Sequence, residues 1–119
     1  MSLFCQSDEM LHYFTDLLHD LWFDWPNEGW KVQDGMLSFI LRDTENLLDK
    51  ERTIAFRLTI RAVEDVRVTG RPAELPGSEE FNEFDYRKSE GLLILKNCLA
   101  TEIHCKVKEL HLELDQLPG

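Results

Sequence analysis

The stretch Thr53 to Arg61 limits what this chain can become more than any other. Ile54, Phe56, Leu58 and Ile60 alternate with Thr53, Ala55, Arg57, Thr59 and Arg61. A period of two puts the four large apolar residues on one face of a strand, whereas a helix would scatter them around its axis. The opposite face is polar, as in an antiparallel strand with one buried and one solvated side. Such a strand is not stable alone, so the rest of the chain has to supply neighbours and a cover for the apolar face.

The same period recurs on both sides of it. Asp34-Gly35 is a turn signal, and after it Leu37, Phe39 and Leu41 face one way with Ser38 and Arg42 the other. Val63, Val66 and Val68 continue the pattern with a slip, which a β-bulge or tight turn at Glu64-Asp65 explains. Gly70-Arg71-Pro72 ends that strand, and Ala73 to Glu83, with Pro76, Gly77 and a run of glutamates, reads as a loop. Phe84 and Tyr86 mark a further strand, and Glu90-Gly91 a turn. Leu92 to Lys96 is apolar on both faces, which suits a central or helix-covered strand. Thr101 to Val107 sets Ile103, Cys105 and Val107 against Glu102, His104 and Lys106. Leu110 to Asp115 sets Leu110, Leu112 and Leu114 against His111, Glu113 and Asp115. The charged link Thr44 to Glu51 has room for a helical turn at Asn46 to Asp49.

The cover comes from the N-terminus. Residues 6 to 18 read as a helix, with Ser7 as N-cap and Asp8 and Glu9 in the first turn, where the helix dipole favours acids. Met10, Leu11, Phe14, Leu17 and Leu18 share one face. The rhythm changes between His19 and Trp30. Leu21, Phe23 and Trp25 alternate with Trp22 and Asp24, and Pro26-Asn27-Glu28-Gly29 is a turn by composition. Strands joined by short connections pair as antiparallel neighbours. The expected fold is therefore mainly β (α+β). It has an N-terminal helix packed on a curved antiparallel sheet, or on a two-layer sandwich, of about eight short strands. At 119 residues the chain is expected to form a single domain, 1–119.

Charge narrows the function by exclusion. Thirteen basic and 23 acidic residues give a net charge of −10. That field repels nucleic acid and anionic membrane surfaces and attracts basic proteins. No apolar run is long enough to span a bilayer. The N-terminus has neither a basic region nor a long apolar segment, so no signal peptide is expected. The three cysteines, Cys5, Cys98 and Cys105, are odd in number and not closely paired, which suits reduced thiols in a cytoplasmic protein.

No constellation declares a chemistry. His12, Asp16 and His19 would share a helical face and could hold a transition metal if the helix ran through His19. The alternative is a solvated face with His19 at the helix end. Cys98, His104 and Cys105 are soft ligands, but on a strand His104 and Cys105 point to opposite faces. That geometry also defeats a Cys–His nucleophilic pair. Paired carboxylates such as Asp20 with Asp24, or Glu79 with Glu80, are expected by chance among 23 acids. Neither a Walker loop nor a dinucleotide fingerprint occurs. No metal and no cofactor is therefore assigned.

Two surfaces remain as candidate partner-binding sites. One comprises Trp22, Asp24, Glu28 and Trp30, because tryptophan is frequent at interface hot spots. The other is the acidic run Glu74, Glu79, Glu80, Glu83 and Asp85, which contains no base.

Several short motifs form a pattern. His19-Asp20 opens the first strand, Gly35 to Arg42 reads G-x-L-x-x-x-L-R, and Val63 to Gly70 reads V-x-D-V-R-V-T-G. The last two strands, within Thr101 to Asp115, carry cysteine and charge. Together these resemble small bacterial domains with an "HD" at the first strand, including immunity-type proteins of polymorphic toxin systems. The resemblance implies a non-enzymatic cytoplasmic protein that neutralises a toxin by binding it. Acidic character would suit occlusion of a basic nuclease cleft. The expected function is thus an immunity- or inhibitor-like binding protein for a basic partner. The alternatives are a small structural or subunit domain that homo-oligomerises through an exposed edge strand, and a metal-dependent hydrolase using His12, Asp16 and His19.

Overall fold

The computed structural model describes residues 2–23, 30–43, 54–70, 79–97 and 101–117. Among them are one α-helix and nine strands. The first strand, β1 (Ser2–Cys5), precedes the helix α1 (Asp8–Leu18). Eight more follow: β2 (Trp22–Phe23), β3 (Leu37–Arg42), β4 (Ala55–Ile60), β5 (Val63–Thr69), β6 (Glu79–Arg87), β7 (Leu92–Asn97), β8 (Glu102–Val107) and β9 (Leu112–Leu117).

The helix forms as its sequence demands. Ser7 is extended, and its hydroxyl accepts a hydrogen bond from the Met10 amide at 3.3 Å. That bond satisfies a donor the first turn would otherwise leave open. Leu11, Phe14 and Leu18 are buried, with Met10 and Leu17 packed beside them. They lie against the inner face of the sheet, chiefly on β6.

All strands pair antiparallel in one open sheet, in the order β1-β9-β4-β3-β2-β6-β7-β8-β5. Of the two layouts expected, the chain adopts the single sheet. Leu58 and Ile60 of β4 share one apolar cluster with Leu93 and Leu95 of β7 and with Ile103 and Cys105 of β8. The sheet therefore folds over on itself, with α1 packed against β6 and β1.

The fold-over happens at one corner. β4 runs into β5 through Arg61 and Ala62, and β8 runs into β9 through residues 108–111. β4 pairs with β9 and β5 with β8. The ladder continues through the bend, because the Arg61 amide donates to the His111 carbonyl and the Lys108 amide to that of Ala62, each at 2.9 Å. Ala62 takes the left-handed conformation, φ 57°, to make the turn. Just beyond it the register shifts between Val63 and Asp65, at the place where the valine spacing predicts a bulge. On the outer side, the Arg61 guanidinium lies 2.8 Å from the Glu113 carboxylate and braces the corner.

Much of the expected alternation holds. Leu37, Phe39 and Leu41 point inward, as do Ile103, Cys105 and Val107. Asp34 (φ 54°) and Gly35 (φ 71°) form a two-residue turn with both positions left-handed, closing the Gln33–Met36 bridge. β7, apolar on both faces, lies inside the sheet between β6 and β8.

Three expectations are corrected. A strand precedes the helix: β1 adds to β9 at the sheet edge, burying Cys5 completely. Glu79 to Glu83 belong to β6 and not to a loop, because Phe81 is fully buried and anchors that stretch in the core. Finally, the polar face of β4 is not wholly solvated. Thr59 is buried between the in-register neighbours Ser38 and Glu113, with its hydroxyl 3.3 Å from that of Ser38. The expected helical turn at Asn46 to Asp49 lies outside the described residues. Among the described residues, no helix is long and apolar enough to cross a membrane.

Candidate functional site

The site is built on β2, two residues long among the described residues, which joins the two halves of the sheet between β3 and β6. The junction after α1 places it there. Leu21 donates its amide to the Leu18 carbonyl at 3.0 Å, and Asp20, with φ 70°, turns the chain. The Asp20 amide then bonds the Phe81 carbonyl at 3.0 Å, and the Phe81 amide bonds the Leu21 carbonyl at 2.7 Å. His19 adds a side-chain tie, its Nδ1 donating to the Asn82 carbonyl at 2.9 Å. The His19-Asp20 pair thus fastens the helix end to β6.

β6 itself carries a bulge, since its register with β7 shifts between Phe81 and Glu83. The extra residue allows Phe81 and Phe84, three apart, both to face the core, with ring centroids 4.8 Å apart. It also leaves Glu80, Glu83 and Asp85 on the same outer side of the strand. Without the bulge, one of the two rings would turn to solvent.

Phe23 points inward and is fully buried. It makes edge-on contacts with Trp30, Phe39 and Phe81 at centroid distances of 6.0, 5.6 and 5.7 Å. Trp22 points outward and is half-buried, in register with Glu80 on one side and Arg42 on the other. The pairing of Phe23 with Glu79 continues that register. Asp24 and Glu28 follow Phe23 in the sequence, and Glu74 precedes Glu79.

The nominated residues therefore separate. Trp22 and Glu80 meet side by side, and Glu83 and Asp85 follow on the same strand. Glu79 stands in the same ladder. Trp30 lies on the inner side, its ring 4.8 Å from that of Phe39 with part of its surface still exposed. Asp24, Glu28 and Glu74 lie outside the described residues.

The outer face beyond β6 was not foreseen. Its rows run Glu83–Lys96–Glu102–Thr69, Asp85–Ile94–His104–Arg67 and Arg87–Leu92–Lys106–Asp65 across β6, β7, β8 and β5. Four acids stand here among four lysines and arginines and one histidine. Asp85 lies 3.3 Å from Arg87 and 3.7 Å from Lys96, and His104 lies 2.9 Å from Glu102. Ile94 is buried beneath these charged side chains. The acid excess of the chain is thus not spread over this face. Only strand neighbours, which a linear count of charge ignores, could have revealed it.

Cys5 and Cys105 are free and buried. Burial raises both thiol pKa values, that of Cys105 to about 12, so neither is a thiolate at neutral pH. Cys98 lies outside the described residues. His12 and Asp16 are exposed on α1, while His19 spends Nδ1 on Asn82. Among the described residues, no group of three or more His, Cys, Asp or Glu is arranged to hold a metal. A recess of about 600 Å³ lies at the start of α1 between Ser7, Tyr86, Lys88 and Lys108. A smaller one of about 260 Å³ lies on the outer face beside Arg67 and His104. Comparison with family models, with curated proteins and with solved structures finds no match to this chain.

Proposed function

We propose that this protein is a non-catalytic binding module, immunity- or inhibitor-like, that holds a basic protein partner against the β2–β6 seam. One observation carries the reading: Trp22 stands half-exposed in register with Glu80. A tryptophan supplies apolar area at small entropic cost, and flanking carboxylates steer a basic partner and set its orientation. Phe23 and Glu79 are paired, and in the sequence Asp24 and Glu28 follow the one while Glu74 precedes the other. The net charge of −10 supplies the long-range attraction. In a basic toxin or nuclease, carboxylates would take the places of substrate phosphates.

The test is co-purification from the producing cells, beside the products of neighbouring genes, with wild type, Trp22→Ala, Glu80→Lys and an outer-face control, Lys106→Ala. The expected result is a basic partner held by wild type and the control, with affinity at least about 30-fold weaker for Trp22→Ala. Glu80→Lys should slow association and remove much of its salt dependence. A partner held equally by all four proteins would overturn the assignment.

A further inference from the structure

We propose that two copies of this chain pair through the free side of β5, antiparallel and centred on Val66. β5 is one of the two sheet edges, and among the described residues its ladder partner is β8 alone. Glu64, Asp65, Arg67, Val68 and Thr69 are all exposed. Val68 is 37% exposed and is one of four large apolar residues left open on the described surface.

Edge strands invite further pairing, and charges usually guard them because like charges come opposite when copies meet. The charges on β5 do not guard it in this way. Asp65 and Arg67 flank Val66 and share the outer face, opposite Lys106 and His104 of β8. A two-fold axis through Val66 sets Asp65 of each copy opposite Arg67 of the other. The charged pair is then self-complementary and occurs twice. Centring the pairing on Arg67 would put two guanidiniums opposite each other, so the charges select one register. The contact is isologous and closes as a dimer.

The other edge, β1, has four residues and no charge to fix a register. In the sheet order β7 and β8 lie between β5 and β6, so pairing through β5 leaves the β2–β6 seam clear. A single short strand buries less than about 1,000 Å², which makes the dimer weak and concentration-dependent. Repulsion between the two acidic copies is screened beyond roughly 8 Å at physiological salt, while the Asp65–Arg67 contacts lie well within that distance.

Sedimentation velocity on the full chain tests this through a mixing experiment. Wild type should show a monomer–dimer equilibrium that shifts with concentration. Arg67→Asp alone sets acid against acid, and Asp65→Arg alone sets base against base. Each should weaken the dimer at least about tenfold. An equimolar mixture of the two again sets acid against base at both contacts and should recover the wild-type dissociation constant. Circular dichroism and melting check that each variant is folded. Asp65→Lys and Arg67→Glu carry the same prediction if either first choice is not. Wild type that stays monomeric at about 1 mM, well above the range of weak specific contacts, would overturn the proposal. So would a mixture no more dimeric than its components, or open-ended species larger than a dimer.

Discussion

Phe23→Ala is the substitution to which this fold should be most sensitive for its size. Phe23 is fully buried, and its ring meets Trp30, Phe39 and Phe81 edge-on within 6.0 Å. Truncating a buried phenylalanine costs about 3–5 kcal/mol, from lost transfer energy and the cavity left behind. Aromatic pairs contribute about 0.5–1.5 kcal/mol each beyond their area, overlapping with that figure. Among the described residues, β2 has two residues, and they carry the junction between β3 and β6. Its neighbours cannot collapse into the cavity without breaking that ladder, so the upper part of the range applies, about 4–5 kcal/mol. With an unfolding entropy of about 2.1 cal/mol/K per residue, 119 residues give roughly 0.25 kcal/mol/K and a fall in Tm of about 16–20 °C. Thermal melting followed by near-ultraviolet circular dichroism measures this, with Phe23→Leu expected to lose less than half as much. A cooperative Phe23→Ala melt within about 4 °C of wild type, or near 1 kcal/mol, would refute the claim that this ring pins the two half-sheets together.

Two further outcomes follow from local geometry and burial. Gly91 has φ 60°, and a Cβ there would sit 3.0 Å from the Val107 carbonyl oxygen, so Gly91→Ala should cost about 1–3 kcal/mol in a denaturant titration. Cys105 should resist a thiol reagent at pH 8 until the protein unfolds. Its folded pKa, about 12, lies above the ordinary value of 9.0. The unfolded chain therefore releases the proton first. This thiol leaves stability unchanged below pH 9 and lowers it as pH rises from 9 towards 12. Cys105→Ala should flatten that part of the stability profile.

How far the sequence could be read depended on where the period of two survived. β3, β4, β8 and β9 are found by alternation because each keeps an inner face of large apolar residues. β1 was missed because Leu3, Phe4 and Cys5 are too few to show a period. The start of β6 was missed because the bulge at Asn82 puts Phe81 and Phe84 three residues apart, while the surrounding glutamates look like loop. The helix cap at Ser7 and the bulge after Val63 were legible because each has a strictly local cause. The sheet order was not, since the position of β5 opposite β4 depends on the bend at Ala62. Trp22 and Glu80 were each nominated, but 58 positions apart only register could make them neighbours. The contact of Asp85 with Lys96 was likewise hidden in strand pairing.

The seam's role is tested most directly by photo-crosslinking. An aromatic crosslinking residue at position 22 keeps the bulk of Trp22, and the same residue at position 106 probes the charge-balanced face. The account predicts a covalent adduct with a basic protein from position 22, abolished by Glu80→Lys, and none from position 106. An adduct from position 106 alone, or from both positions equally, would contradict it.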